Sequence, residues 1–560
     1  MSLLPRRHKM QFRYGEKTNF VYNWSNDFLL NIMHFYFQLV RSGHSPLHEL
    51  EIQLVRLLQY TTTNKQQGTF VDAWILLYRL IGYTRDKEYG RGEYQLAYMQ
   101  LFVWFHFYPS LAFFAFMQCV KFSKYGSWKD VKLFSNYIYQ RTADDHHPFI
   151  ELMIDLLVQQ LKEDEEKYKQ EKKISLAAKW TPREKSKYGW LFKKIAIKFS
   201  PHLFQNLKGS KIRAVRKANM ILRRFLSKMN NYTNNTEMLM CKKNYHMIDF
   251  SKVSATTIHK NILAFQNIKN NNQTRYAKWD RYIAAGKFRN FMERTEVIAG
   301  AAQIQLGNLV KSAIFCTLEE KAAIINKLWS SQHALEHAKH TLVPIIPLVD
   351  IGASLEENNL IPLFNAIGVG IRISEMAPPP FTNRIMVFSA SPQWLILNDL
   401  TFVEKATAVY KTIRGMKSNI EGALDTIKDI LIKTNTTPED IKNLTLCIIS
   451  DMQFETFKRK KCWPPKKQAI YELIREKFTY NIPQCTLPKL VFYNVKQTPG
   501  MPLIFGEKNT YLMAGYNAKS LNMLTSRKKK TNRTLSSTIL QELQHKRYFP
   551  LEYFFKKIIK

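Results

Sequence analysis

The sequence is short of acidic residues, because 45 Asp and Glu stand against 83 Lys and Arg, a formal net charge of +38. This surplus is far larger than the ~2–8 charges that keep a small domain in solution. Such a surplus is typical of proteins that bind a polyanion, either nucleic acid or an anionic membrane surface. The composition therefore favours a polyanion partner over a purely solubilising role for the charge.

Cysteine is also scarce. The six cysteines show neither a Cys-x-x-Cys pair nor a spacing with histidine that would bind zinc. This argues against a disulfide framework and a zinc finger, and indicates a reducing compartment. Residues 1–9 carry charge where a secretory signal peptide needs its apolar core. We therefore expect a cytoplasmic or nuclear protein that is not secreted.

One long stretch, residues 96–120, lacks Asp, Glu, Lys and Arg and is long enough to span a bilayer. Pro109 interrupts it, and Gln100, His106 and Gln118 would lie at membrane depth, where polar groups are costly. We interpret the stretch as two buried helices and expect no membrane partner.

Hydrophobic periodicity divides the chain of 560 residues into two parts. Apolar residues at helical spacing predict an all-helical α-solenoid over residues 1–335, and alternating strands and helices predict a Rossmann-like α/β domain over 340–525. A basic C-terminal tail, 526–560, contains the run 526–533, which suits nuclear import or phosphate contacts. The predicted strands are 343–349, 384–389, 444–450, 489–495 and 510–514. The predicted helices of this part lie near 355–376, 401–413, 419–433 and 466–477.

The segment from Arg85 to Glu93 contains Gly90-Arg91-Gly92, but no strand precedes it and no Walker lysine follows. We therefore predict a turn between two helices, with Arg85 paired to a carboxylate, rather than a phosphate-binding loop. Trp128, in a second predicted helix-entry turn, is expected in the core.

Residues 179–228 form a basic segment in which aromatic side chains are interleaved with Lys and Arg. Cations gain affinity for nucleic acid by releasing counterions, and aromatic faces stack unpaired bases at roughly 1–3 kcal/mol each. The simpler explanation is that the rings form the buried stripes of helices whose outer faces are basic, and we expect both to hold in part. The candidate nucleic-acid-binding residues are Lys179, Arg183, Lys193, Lys194, Arg213, Arg216, Arg223 and Arg224.

Two predicted strands end on carboxylates, Asp350 and Asp451, and two predicted helices open on hydroxyls, Ser354 and Ser418. The carboxyl ends of parallel strands meet at one sheet edge, and oxygen ligands suit Mg²⁺ or another divalent cation. Ser354 and Ser418 also fit the Ser-x-x-Glu capping box, so metal ligation and helix capping both remain open.

The pattern resembles a von Willebrand factor A domain, whose metal-ion-dependent adhesion site is built from Asp-x-Ser-x-Ser, a Thr and a second Asp. The resemblance places Asp350, Ser354, Ser418 and Asp451 at four of these positions. Gly352 stands where the middle Ser is expected, which implies a degenerate cation site.

Further segments resemble an uncharacterised family of plants, fungi and large DNA viruses that is similar to the TROVE-domain Ro ribonucleoproteins. The segments are 84–93, 125–130, 174–182, 450–454, 489–495 and 511–515. The resemblance implies a helical TROVE-like half followed by a von Willebrand A-like half.

Together these observations predict a non-catalytic RNA-binding protein, a ribonucleoprotein scaffold whose α/β domain docks a protein partner and which has no small-molecule substrate. The alternative is a structural or assembly protein, for example of a large DNA virus, that binds nucleic acid non-specifically. A metal-dependent phosphodiesterase at Asp350 and Asp451 is disfavoured because neither a general base nor a second metal constellation accompanies them.

Overall fold

The structure is a computed structural model of the full chain. It describes residues 12–14, 20–22, 27–41, 44–63, 68–205, 209–337, 342–412, 418–454, 457–458, 467–468, 470–481, 487–497, 501–502, 509–516, 521, 524 and 535–559. The predicted basic run 526–533 lies outside these residues.

The N-terminal part is helical apart from a small antiparallel hairpin, β1 (Phe12–Tyr14) with β2 (Phe20–Tyr22). Its first helices are α1 (Phe28–Gln38), α2 (His44–Thr63), α3 (Gly68–Arg85), α4 (Tyr94–Phe107), α5 (Pro109–Val120), α6 (Lys129–Thr142) and α7 (Pro148–Lys169). They are followed by α8 (Ala177–Trp180), α9 (Gly189–Phe199), α10 (Lys211–Thr233), α11 (Thr236–Cys241), α12 (Ala255–Phe265), α13 (Trp279–Arg294), α14 (Leu306–Ile314) and α15 (Glu319–His337).

The uncharged stretch 96–120 forms two helices, as predicted. Pro109 is the first residue of α5, where its missing N–H costs no helical hydrogen bond. Leu101, Trp104 and Phe116 are buried in the helical core. Across the described ranges, no helix is long and apolar enough to cross a bilayer.

The C-terminal part is built around a mixed six-stranded sheet. Its elements are β3 (Ile345–Asp350), α16 (Glu357–Met376), β4 (Arg384–Phe388), β5 (Gln393–Ile396), α17 (Phe402–Lys411), α18 (Ile420–Lys433), α19 (Pro438–Asn443), β6 (Thr445–Ser450), β7 (Phe457–Lys458), β8 (Lys467–Gln468), α20 (Ile470–Asn481), β9 (Lys489–Asn494) and β10 (Thr510–Ala514). The strand order is β10-β9-β6-β3-β4-β5, and only the edge strand β5 runs antiparallel to its neighbour. β7 and β8 form a separate two-stranded ladder.

The central strands explain why this half was predictable. All six residues of β3 and all six of β6 are buried, and continuous apolar runs are typical of parallel strands covered on both faces. All five predicted strands are present in the sheet, and the predictions are confirmed. β5 was missed because its residues are only partly buried and carry no comparable run.

Buried side chains form two clusters. One joins α1–α10 with two C-terminal helices, α21 (Leu535–Leu543) and α22 (Phe549–Ile559). The other joins the sheet with the helices from α11 to α15, and α14 packs directly on α16. The core of the α/β part thus extends upstream of the predicted boundary near residue 335.

The C-terminal segment, predicted as part of a basic tail, packs on the N-terminal helices. Phe554 stacks on Phe114 with ring centroids 3.9 Å apart, and Phe555 meets the edge of Trp74 at 4.8 Å. Leu551 and Phe555 are fully buried there. The two ends of the described chain therefore share one hydrophobic core.

The turn between α3 and α4, residues 86–93, is confirmed as an interhelix turn. Gly90 is required because a Cβ atom would lie 1.9 Å from the Tyr83 carbonyl oxygen. Arg85 donates to both carboxylate oxygens of Asp130, at 2.8 and 2.7 Å from Nη2, and both side chains are buried. Trp128, 5% exposed, lies in the core as predicted.

We predict that Asp130→Asn lowers the free energy of unfolding by about 3–5 kcal/mol, because it leaves the Arg85 guanidinium buried without its counter-charge. Urea unfolding followed by circular dichroism measures this change. The matched control is Glu166→Gln, which breaks an exposed pair with Lys169 and should change stability by less than about 1 kcal/mol. Equal effects of the two substitutions would contradict a structural role for the Arg85–Asp130 pair.

Candidate functional site

The predicted carboxylates meet at the carboxyl end of the sheet. Asp350 ends β3, Ser450 ends the neighbouring parallel strand β6, and Asp451 follows it. The hydroxyl of Ser450 donates to Asp350 Oδ2 at 2.7 Å and lies 3.4 Å from Asp451 Oδ1. Both carboxylates are 1% exposed, so this is a buried acidic pair.

Ser418 reaches the same pair from the segment before α18. Its hydroxyl donates to Asp350 Oδ1 at 2.9 Å, and the Gly352 N–H donates to the same oxygen at 2.8 Å. A Cβ atom on Gly352 would lie 2.5 Å from Ser418 Oγ. The glycine at this position therefore allows Ser418 to contact Asp350 directly.

Helix capping, the alternative left open for the two serines, is not observed for either one. The N-cap of α18 is Asn419, whose side chain accepts the Gly422 N–H at 2.9 Å, while Ser418 is engaged with Asp350. Ser354 lies inside a 3₁₀ turn, residues 353–355, before α16 begins at Glu357. The buried Ser354 Oγ has no hydrogen-bond partner among the described residues.

The four predicted ligands fit a divalent cation only in part. Asp350 and Asp451 supply charge, and Ser354 Oγ is unpaired, yet three donors already satisfy Asp350. The parts of the chain that the structure describes hold no group of three or more His, Cys, Asp and Glu side chains suited to a metal. The arrangement fits hydrogen-bonded carboxylates better than a cation, and Mg²⁺ binding stays a prediction.

Burial, followed by the nearby charge of Asp451, raises the pKa of Asp350 from 3.8 to about 6. The hydrogen bonds from Gly352, Ser450 and Ser418 oppose this shift but do not cancel it. A proton on Asp350 is therefore held more tightly in the folded protein than in the unfolded chain. The resulting stabilisation is complete below about pH 4 and is lost as the pH rises through 6.

We predict that Asp350→Asn changes how stability depends on pH. Between pH 5 and 7.5 the wild type should lose about 1 kcal/mol of unfolding free energy relative to the variant, because asparagine does not titrate. Urea unfolding of both proteins at the two pH values measures the difference. A difference in unfolding free energy between wild type and variant that is the same at both pH values, or that changes in the opposite direction, would contradict the raised pKa.

The basic segment folds mainly into α9 and α10. α10 carries seven Lys and Arg side chains and no acidic one, and all seven are exposed. Arg213, Lys217, Arg224 and Lys228 recur at helical spacing, while Ala218, Leu222, Phe225, Leu226 and Met229 are buried on the other side. α10 therefore presents a continuous cationic face, which we call the α10 face.

A groove opens beside the α10 face, with a volume of about 760 Å³. We call it the Trp180 groove. The cations and aromatic rings that line it include Lys132, Lys179, Trp180, Arg183, Lys185, Tyr188 and Arg223. The ammonium groups of Lys129, Lys132 and Lys179 lie 5.5, 5.1 and 5.3 Å from the Trp180 ring centroid. Burial, with Lys129 and Arg183 nearby, lowers the pKa of Lys132 to about 8.

The structure brings six of the eight predicted cations to these two surfaces. Lys179, Arg183 and Arg223 line the Trp180 groove, and Arg213, Arg216, Arg223 and Arg224 belong to α10. Lys193 is exposed on α9. Lys194 donates to the Asp145 carbonyl and lies 3.2 Å from Glu151 Oε1, so its charge is used in contacts within the protein.

Two of the cations in the groove are also paired. Lys179 lies 2.8 Å from Glu237, and Arg223 lies 3.3 Å from Glu184. The interleaved rings are all at least half-buried: Phe192 and Phe225 are in the core, while Trp180, Tyr188, Trp190, Phe199 and Phe204 are partly accessible. Stacking therefore has to use the partly accessible rings.

Sequence reasoning missed Lys129 and Lys132. They lie at the start of α6, about fifty residues before Trp180, and only the packing of α6 beside α8 brings them to the ring. The pair of lysines at the entry of a helix was the one local signal, and it did not indicate a tryptophan partner.

Comparison with known proteins gives two family matches, both described as domains of unknown function. Residues 127–290 match DUF2828, and residues 345–553 match DUF7788. The second match includes α21, which packs in the helical core. The chain is also 23% identical, over 497 residues, to the uncharacterized protein L728 of Acanthamoeba polyphaga mimivirus, covering 84% of this chain and 80% of that protein. The chain is thus similar to uncharacterised proteins, one of them viral.

Proposed function

We propose that this protein is a non-catalytic RNA-binding protein, a ribonucleoprotein scaffold with a TROVE-like helical half and a von Willebrand A-like half that docks a protein partner. The observation that carries the proposal is the Trp180 groove beside the α10 face. The two form one basic surface that contains accessible aromatic rings. The docking role is supported by the resemblance alone.

The dimensions of the groove suit unpaired nucleotides. A volume of about 760 Å³ lies within the range of small-ligand sites, ~300–1,000 Å³, and is large enough for a nucleotide. Trp180 and Tyr188 line its walls, and base stacking on such rings contributes roughly 1–3 kcal/mol per base. A duplex keeps its bases stacked on each other, so the groove favours single strands.

The charge of the groove supports a phosphate ligand. Lys129 and Arg183 each repel the charge of Lys132, which after burial is the second reason why the pKa of Lys132 is lowered. An anion between these cations would relieve the repulsion, whereas a neutral ligand would not. The α10 face would then continue the path of the backbone, because its exposed cations follow one side of the helix.

The same features argue against reading of base sequence in duplex DNA. Phosphate contacts position a nucleic acid but carry no sequence information. An aromatic ring can stack on any base, since every base has a stacking face. We therefore infer that RNA is held through its backbone and unpaired bases.

We predict that Arg213→Gln/Arg216→Gln/Arg224→Gln weakens binding of single-stranded RNA roughly tenfold or more and makes the dependence of log Kd on log salt shallower by about 2. Arg223 is left intact because it is paired with Glu184. Fluorescence anisotropy with labelled single-stranded RNA, duplex RNA and duplex DNA across a salt series measures both quantities.

The matched control is Lys411→Gln/Lys433→Gln/Lys442→Gln, which removes the same charge from exposed positions of the α/β half. The control should retain affinity and salt dependence. Equal binding to all three nucleic acids, with no difference between the two variants, would contradict RNA recognition at the α10 face. That result would favour an assembly protein that binds polyanions generically.

A further inference from the structure

A second basic cavity, distinct from the Trp180 groove, lies between the helical part and the α/β part. Its volume is about 510 Å³. It is open to solvent on one side and is lined by the turn between α3 and α4, by α12, by α14 with the segment before it, and by Arg41 and Tyr516, which follow α1 and β10. We call it the junction cavity. Its cationic lining consists of Arg41, Lys87, Arg91, Lys260 and Lys311.

The lining of the junction cavity contains five cations and no carboxylate. Glu93 lies just behind it, but this buried side chain accepts Arg41 at 2.8 Å and Gln305 at 3.0 Å. Within the described ranges, Lys87, Lys260 and Lys311 make no ion pair. Three of the cations therefore have no ion-pair partner among the described residues.

The lysines near the cavity also repel one another. Desolvation by the surrounding chain lowers the pKa of Lys87, although the residue itself is exposed, and the charges of Arg85, Lys129 and Lys260 add to this effect while Asp130 opposes it. The pKa of Lys129 is also lowered, chiefly by burial and next by the charge of Lys260. Placing like charges together disfavours the charged forms unless an anion lies between them. The junction cavity thus has the electrostatic properties of an anion site.

Neutral hydrogen-bonding groups accompany the cations. His259 Nε2 lies 2.9 Å from Ser312 Oγ, and burial lowers the pKa of His259 to about 4, so its ring is neutral at pH 7. Arg91, 2% exposed, donates to the Tyr36 carbonyl at 2.8 Å, while its Nε has no partner among the described residues. Side chains of this kind hold the oxygens of a phosphate and the hydroxyls of a sugar.

The size of the cavity selects the class of ligand. About 510 Å³ matches a mononucleotide or sugar phosphate and is small for a folded nucleic acid. None of the lining residues belongs to α10 or to the Trp180 groove. We propose that the junction cavity binds a small phosphomonoester, with Lys87, Lys260 and Lys311 contacting the phosphate. The inference does not depend on RNA binding.

The test uses the full-length protein with AMP, ribose 5-phosphate and adenosine as probes. Calorimetric titration is compared between the wild type, Lys260→Gln/Lys311→Gln and the control Lys433→Gln/Lys442→Gln, all at exposed positions. We expect the wild type and the control to bind AMP or ribose 5-phosphate but not adenosine. The cavity variant should bind at least about tenfold more weakly, because two charged contacts are lost.

Binding of neither phosphate, or equal binding by the cavity variant and the wild type, would overturn the proposal. Loss of phosphate binding in the Arg213/Arg216/Arg224 variant would also overturn it, since that surface lies outside the cavity. RNA carrying a 5′-phosphate provides the last arm. If the Lys260→Gln/Lys311→Gln substitutions weaken binding of this RNA while neither small phosphate binds, the cavity is instead a site for RNA ends.

Discussion

The fold depends on the charged turn between α3 and α4, because side chains from residues 85–93 hold four distant segments. Arg85 binds Asp130 on α6, and Asp86 accepts Arg547 from the C-terminal segment at 2.6 Å. Arg91 donates to carbonyls at the end of α1, and Glu93 accepts Arg41 and Gln305. The acidic partners Asp86, Glu93 and Asp130 are buried, so loss of a cationic partner would leave a costly unpaired charge. The turn thereby ties the N-terminal helices to the C-terminal segment and to the start of α14.

The burial of acidic residues also determines the charge of the surface. Asp86, Glu93, Asp130 and Asp164 are buried and used for internal contacts, which leaves many exposed cations without a neighbouring acid. On the α10 face and in the junction cavity these cations lie close enough to repel one another. External anions are the natural partners of such surfaces. Part of the net charge of +38 is thus gathered on these two surfaces.

Elements with strong periodicity were predictable, as in β3, β6 and α18, where buried apolar residues recur at the expected spacing. The convergence of Asp350, Ser418 and Asp451 followed from the rule that parallel strand ends meet at one edge. The sequence could not show that Ser418 bonds to Asp350 instead of capping α18, since Asn419 competes for the cap. Lys129, Lys132 and the junction cavity were also out of reach, because they depend on contacts between residues far apart in the chain.

The central claim, that RNA enters the Trp180 groove and follows the α10 face, is tested most directly by ultraviolet crosslinking. Single-stranded RNA is crosslinked to the full-length protein and the modified peptides are identified by mass spectrometry. The account predicts crosslinks at Trp180, Tyr188 and neighbouring residues of the groove, with further sites along α10. Crosslinks confined to the α/β part, or distributed over all exposed basic segments without enrichment at the groove, would contradict it.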